Sequence, residues 1–177
     1  DSFERESLGD RWQVPINSFS IRNGHLLGQE DPQRGHGAVV RAAVPFRNAV
    51  IRFAFRFTDG KNFNLVINDR SCKSVHAGHI CRVSFSPARV RIADDKDGFM
   101  KNEIFDIRQD KTRRAEVQKL LKGRDVVIPN LLTAGTWHEA EVTIDGDRIS
   151  VLINGETIGA LTSSGIAHPT KTDFGFT

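Results

Sequence analysis

Cys72, His76, His79 and Cys81 fall within one ten-residue stretch, which holds both cysteines of the chain and two of its six histidines. Thiols and imidazoles bind zinc, thiols form disulfides, and imidazole moves protons near neutral pH. The spacing Cys-x3-His-x2-His-x-Cys matches no standard zinc pattern. Three readings of the cysteines stand: a Cys72–Cys81 disulfide, two free thiols, or metal ligands. The disulfide is preferred, because strands meeting at Ala77-Gly78 would bring the two residues opposite each other. His79 and His76 are candidate general bases, weighed against the commoner structural or surface histidine. His36 and His168 sit in expected loops and are weaker candidates.

Two other groups of residues could do chemistry. Asp94, Asp95 and Asp97 precede Gly98 and hint at calcium, but the position where an EF-hand needs its bidentate glutamate is Asp106, so a solvated turn is preferred. No cofactor is assigned, and a divalent metal stays an option only. The second group is a set of polar positions on alternating strands: Arg52, Arg56, Asn62, Asn64, Arg82, Arg89 and Arg91. Arginine grips carboxylate or sulfate in bidentate fashion and asparagine suits hydroxyls. On neighbouring strands they would line a groove for an anionic or highly hydroxylated glycan. The competing view is a solvated face balanced by nearby acids. There is no tyrosine, and both tryptophans read as structural, so no aromatic platform for a sugar is expected.

Strands must position these groups. Ile51, Phe53, Phe55 and Phe57 alternate with Arg52, Ala54 and Arg56, the signature of a strand with one buried face. Asn62–Asn68 and His79–Phe85 alternate likewise. Further strands are expected at 38–43, 89–93, 104–108, 139–144, 149–153 and at Phe174–Phe176. Asn23-Gly24 and Asn154-Gly155 are hairpin signals, as is Asp145-Gly146. Val14-Pro15 reads as a turn after a first edge segment. One helix is expected over 111–122, with Asp110 as N-cap and Gly123 as its stop. Short alternating strands with regular turn signals predict an all-β antiparallel sandwich with one short helical insertion.

At 177 residues one domain over 1–177 is expected, with a core of useful size. Charged residues make up 27% and hydrophobic ones 38%, and the net charge is +3. This mild basicity shows no concentrated patch, so nucleic acid is not an expected partner. No apolar run approaches the roughly 20 residues of a membrane helix, so no membrane partner is expected. The chain opens Asp1-Ser2-Phe3-Glu4, with no leader-like segment.

Gly135-Thr136-Trp137-His138, the turns Asp145-Gly146 and Asn154-Gly155, and the closing Phe174-Gly175-Phe176 together resemble the concanavalin A-like lectin/glucanase sandwich. The opening Phe3-Glu4-Arg5-Glu6-Ser7-Leu8-Gly9-Asp10-Arg11-Trp12, followed by Ile21-Arg22-Asn23-Gly24-His25-Leu26-Leu27-Gly28, is similar to one branch of it, the 3-keto-disaccharide hydrolase family. The resemblance implies a jelly roll whose concave sheet binds a sugar oxidised at C3. The ketone acidifies the neighbouring C–H, a base removes that proton, and the glycosidic bond leaves by elimination before water adds. It needs a base and a group that stabilises the enolate, not the carboxylate pair of ordinary glycosidases. Many relatives carry a tyrosine-glutamate pair where this chain reads His79-Ile80 after Gly78. The base is therefore sought in His79 or His76. Asn64, Arg82, Arg52, Arg56, Lys101, Glu103 and His168 are the expected substrate contacts. A non-catalytic module for acidic or sulfated polysaccharide is the alternative. Relatives usually carry one more strand after Phe176, so the last strand is expected to be missing. The expected setting is secreted or periplasmic, as part of a longer multidomain protein.

Overall fold

Inward-facing apolar rows drive the chain into thirteen strands, all paired antiparallel, among residues 1–16 and 18–177 that the computed structural model describes. Seven of them form one sheet in the order β1 (Trp12–Ile16), β4 (Val39–Ala42), β13 (Asp173–Phe176), β6 (Phe63–Asn68), β7 (His79–Ser86), β8 (Arg89–Asp94), β9 (Asp125–Pro129). Four form the second, ordered β12 (Glu156–Thr162), β11 (Arg148–Ile153), β10 (His138–Asp145), β5 (Ala49–Phe55). The hairpin β2 (Phe19–Arg22) and β3 (His25–Gly28) stands apart from both. The all-β antiparallel jelly-roll sandwich expected from the alternation is what forms.

The core lies between the two large sheets. Leu65, Ile67, Val83, Phe85, Val90 and Ile92 enter from one side, and Val142, Ile144, Ile149, Val151 and Ile153 from the other. Each such side chain contributes about 1.5–3 kcal/mol on burial. The phenylalanine row faces inward as expected. Phe53 lies 5.8 Å from Phe85 and 5.1 Å from Phe176, and Phe63 stacks on Phe85 at 5.0 Å. Such ring pairs add about 0.5–1.5 kcal/mol beyond their area.

Both Asn-Gly turns close as the sequence requires. Asn23 and Gly24 have φ of 51° and 71°, and Asn154 and Gly155 have 53° and 81°, the left-handed pair of a type I′ hairpin. Three elements differ from expectation. Val14-Pro15 is no turn but lies inside β1, an edge strand, where a missing N–H costs no ladder bond. Residues 104–108 are not a strand but the end of α1 (Asn102–Ile107) and its C-cap, Arg108: Ile104 and Ile107, three apart, sit on one helical face. β9 was not expected, because Val126-Val127-Ile128 is an unbroken apolar run with no alternation, yet the strand turns Val127 outward, half-exposed.

The expected helix over 111–122 begins as a 3-10 turn, Lys111–Arg113, and continues as α2 (Arg114–Leu120). Asp110 caps it, accepting from the Thr112 N–H at 2.8 Å, and Gly123 ends it with φ of 77°. The insertion over residues 95–124 therefore carries two short α-helices rather than one. None of the described helices is long and apolar enough to cross a membrane.

Candidate functional site

Most of the buried polar side chains gather at one end of the seven-stranded sheet, where β6 ends, β7 begins, β13 begins and β8 runs into the insertion. The backbone there is tight. Gly78 has φ of 75°, and a Cβ on it would stand 2.4 Å from the Asp69 carbonyl oxygen, so only glycine fits. The Asp69 N–H donates to the Gly78 carbonyl at 2.9 Å, which ties the two strand ends together. A register shift between Ile67 and Asn68 then sets Asn68 opposite His79.

A run of polar contacts follows. His79 Nδ1 is 2.7 Å from Asn68 Oδ1, and Asn68 Nδ2 donates to Asp173 Oδ1 at 2.6 Å. Asp173 Oδ2 lies 3.3 Å from Arg70 Nε and accepts from Thr172 Oγ1 at 3.0 Å. Because Asn68 commits its amide N–H to a carboxylate, its oxygen faces His79, whose Nδ1 must donate. The lone pair of the neutral ring is then on Nε2. Burial, reinforced by the charges of Arg82, His76 and Arg70, pushes the His79 pKa down to about 3. His79 is neutral across the physiological range and a weak base.

His168, from the loop before β13, meets the adjacent Asp69. Its Nε2 lies 2.7 Å from Asp69 Oδ2, which also accepts from Thr170 Oγ1 at 2.6 Å. Asp69 Oδ1 takes the Ser71 N–H and hydroxyl at 2.8 and 2.7 Å. Burial opposes the Asp69 charge, but the hydrogen bonds from Thr170, Ser71 and His168 outweigh it and hold the carboxyl well below its usual range. An ionised carboxylate only accepts, so His168 donates through Nε2–H, which leaves Nδ1 as the ring nitrogen able to take a proton.

The third component is an ion pair beside these two. Arg82 Nε donates to Asp95 Oδ2 at 2.5 Å, and Asp95 is wholly buried. Arg82 Nη2 and Asp95 Oδ1 are buried with no hydrogen-bond partner. Burial pushes the Asp95 carboxyl up, with Arg82 pulling the other way. Next to it, Asp94 Oδ2 accepts from Ser163 Oγ at 2.6 Å and from the Gly165 N–H at 3.0 Å. The solvated turn expected at 94–97 is thus corrected for its first two residues: both are buried, because β8 runs on through Asp94 beneath the insertion.

The other expected site residues separate into groups. Asn64, Arg82, Arg89 and Arg91 do share the outer face of the large sheet, as the register Asn64–Ser84–Arg91 and Val66–Arg82–Ala93 shows. Ser84 Oγ donates to Asn64 Oδ1 at 2.6 Å, and Arg91 Nε to Asp125 Oδ2 at 2.6 Å. Arg52 and Arg56 do not join them. Arg52 belongs to β5 in the opposite sheet and pairs with Glu141 at 2.7 Å, while Arg56 lies 5.0 Å over the Trp137 ring. Sequence alternation orders the faces of one strand but says nothing about which sheet that strand joins. Lys101 and Glu103 pair with each other at 2.9 Å on the exposed start of the insertion, and Asn62 is exposed before β6.

His76 is stacked flat on Phe105, centroids 3.9 Å apart. The cysteines are free thiols, which corrects the expected disulfide. Residues 69–75 form no strand, so no register carries Cys72 opposite Cys81. Cys81 instead faces Ile67 and Asp94 in the core, where burial pushes its thiol up, and Cys72 Sγ contacts Ser74 Oγ at 3.3 Å. Cys72, His76, His79 and Cys81 build no ligand set, and among the described residues no three His, Cys, Asp or Glu side chains converge to hold a metal ion. Trp12 is structural as expected, packed near Phe174 and Phe176, but Trp137 is 44% exposed.

The residues that sequence reasoning missed are Asn68, Asp69 and Asp173, while Asp95, weighed there as part of a calcium-like turn, is instead the buried partner of Arg82. Their one signal is position: each is polar at or next to the end of an apolar strand, which is where open β folds place chemistry on a rigid frame.

Two antiparallel sheets with a polar end and polar side chains along one outer face define a jelly-roll sandwich of the type shared by glucanases and carbohydrate-binding modules. The chain superposes on the β-glucanase of Bacillus licheniformis with a TM-score of 0.65 at 10% identity, covering 99% of this chain and 82% of that one. For the carbohydrate-binding module CBM66 from Bacillus subtilis the TM-score is 0.59 at 10% identity, covering 97% and 87%. For SCLam, a non-specific endo-β-1,3(4)-glucanase, it is 0.59 at 9%, covering 99% and 76%. No curated protein matches the sequence. The sequence profile of the 3-keto-alpha-glucoside-1,2-lyase-like domain matches residues 2–173, so the chain belongs to that family and is a carbohydrate-related domain.

Proposed function

We propose that this domain binds a sugar along the outer face of the seven-stranded sheet and, at its polar end, eliminates the glycosidic bond beside a C3 ketone. The observation that carries the reading is the His168–Asp69 pair at 2.7 Å, an imidazole oriented by a buried carboxylate. His168 Nδ1 takes the proton from the carbon next to the ketone. The electron pair of that C–H bond forms the enolate, then the ring double bond, as the anomeric C–O bond breaks. The departing oxygen keeps its electron pair and takes up the proton that the His168 imidazolium gives back, which resets the base. Asp69 stabilises the imidazolium that forms. The half-exposed cation of Arg70 supplies positive charge for the enolate oxygen, with the largely buried Arg82 adding its field. Neutral His79 serves as a hydrogen-bond acceptor rather than the base, and Asn64 and Ser84 suit sugar hydroxyls. A secreted or periplasmic location goes with such a substrate.

The test is incubation with a 3-keto-glucoside, comparing wild type with His168→Ala and His79→Ala. A base of this kind contributes about 10²–10⁴-fold, so His168→Ala loses at least 100-fold in kcat and His79→Ala clearly less. A wild type that turns over no 3-keto-glucoside sinks the enzymatic reading. A second reading, a glycan-binding module without catalysis, draws on the Asn64–Ser84–Arg91 row, which offers hydroxyl and anion contacts without a base. Its signature in the same experiment is binding without turnover.

A further inference from the structure

The other end of the sandwich holds a different arrangement. β6 runs from Phe63 to Asn68, five steps or roughly 17 Å. Asn68 belongs to the polar end, whereas Phe63 packs on Phe55 and Phe57, next to Arg56. Here the free-standing β2–β3 hairpin meets the end of β5 and the start of β10 around an open depression of about 300 Å³. Arg22, His25, Leu27, Arg56, Thr58 and Trp137 line it.

Its chemistry is one-sided. Trp137 is 44% exposed, with the Arg56 guanidinium 5.0 Å over its ring and the His25 ring edge-on at 4.9 Å. Neither Arg22 nor Arg56 has a carboxylate within ion-pair distance or makes a side-chain hydrogen bond among the described residues. Glu4 approaches the hairpin turn at Gly24 but lines no part of the depression. The contrast with Arg52, Arg82, Arg91 and Arg124 is direct, since each of those is paired with an acid. The Arg56 guanidinium sits over the indole face with no protein acceptor on its N–H groups among the described residues, and a guanidinium so placed can grip a carboxylate or sulfate in bidentate fashion. The indole and Leu27 supply an apolar wall for the C–H face of a ring, and the Thr58 hydroxyl a polar contact.

We propose that the depression between the β2–β3 hairpin and Trp137 is a second carbohydrate site, selective for a sugar ring carrying a carboxylate or sulfate. It lies apart from the polar end and does not depend on the elimination chemistry. The anion seats on Arg56 and Arg22, and the ring lies along Trp137 and Leu27. The site holds part of an acidic glycan whether or not the polar end turns over substrate.

The chain has two tryptophans, so its ¹H–¹⁵N spectrum shows two indole signals, assigned with Trp137→Phe. Three probes are titrated: trigalacturonate, a sulfated galactose disaccharide, and neutral maltotriose. Expected is a saturable shift of the Trp137 indole with an anionic probe, at least fivefold tighter than with maltotriose, while Trp12 stays put. Binding of only one anionic probe supports the site and identifies its anion. Arg56→Met weakens binding at least fivefold, and so does a rise from 50 to 500 mM salt. His168→Ala binds as wild type does, so failure at the polar end and failure here are told apart. Three results would each overturn the proposal: no Trp137 shift with either anion, equal affinity for maltotriose, or an unchanged Arg56→Met whose spectrum shows a native fold.

Discussion

At one end of this sandwich each buried carboxylate is met by a cation or hydrogen-bond donors, and at the other end two arginines are answered by nothing acidic. The polar end locks Arg82 to Asp95, Arg70 to Asp173 and His168 to Asp69, with Asn68 joining His79 to the group. The Trp137 end leaves Arg22 and Arg56 on an open aromatic surface. Buried charges need partners, or desolvation would cost several kcal/mol for each ion. Charges at the surface carry no such demand. The polar end is accordingly preorganised and structurally costly to alter. The open end carries no such constraint and is available to a ligand. Catalysis is suited to the first and anion capture to the second.

That contrast can be broken by substitution. Asp95→Ala strands Arg82 in a largely buried position and should cost about 3–5 kcal/mol, read as a lowered denaturant midpoint at unchanged slope. A loss below 1 kcal/mol would mean the polar end is not held by its buried pair. A sharper measure uses pH. The folded pKa of His79, about 3, lies below the unfolded value of 6.5. The unfolded state therefore binds the extra proton, and stability contributed by neutral His79 is present above pH 6.5 and lost as pH falls toward 3. The slope approaches about 1.4 kcal/mol per pH unit within that window. His79→Gln should flatten the wild-type decline in melting temperature between pH 6.5 and 4.5, and an equally steep decline in the variant would remove His79 as its source. The smallest effect is expected at the open end. Arg56→Met removes one exposed cation–π contact, worth about 0.5–1 kcal/mol, and should shift the denaturant midpoint only slightly. A cost approaching that of Asp95→Ala would erase the distinction between the two ends.

Much of the architecture was legible residue by residue. The inward row at Ile51, Phe53, Phe55 and Phe57, the two Asn-Gly hairpins and the Asp110 cap are local signals, and each governs structure within a few residues of itself. The candidate site was legible only in part. Arg82, His79 and His168 were singled out, and each lies at the polar end. Their partners come from two strand ends, Asp95 after β8 and Asn68 and Asp69 at the end of β6, and no local pattern joins Asp69 to His168, a hydrogen bond across ninety-nine residues. Cys72 shows the converse, since proximity in sequence to Cys81 suggested a bridge that the loop over 69–75 does not make.

Period-two hydrophobicity and turn chemistry alone determined that this protein is an antiparallel sandwich, because both act through neighbours along the chain. Which arginines share a face, which acids are buried and which histidine meets a carboxylate were decided only by the order of strands in the sheets. Desolvation and ion pairing depend on what lies across space, and β6 meets β13 and the loop before it across some hundred residues of intervening chain.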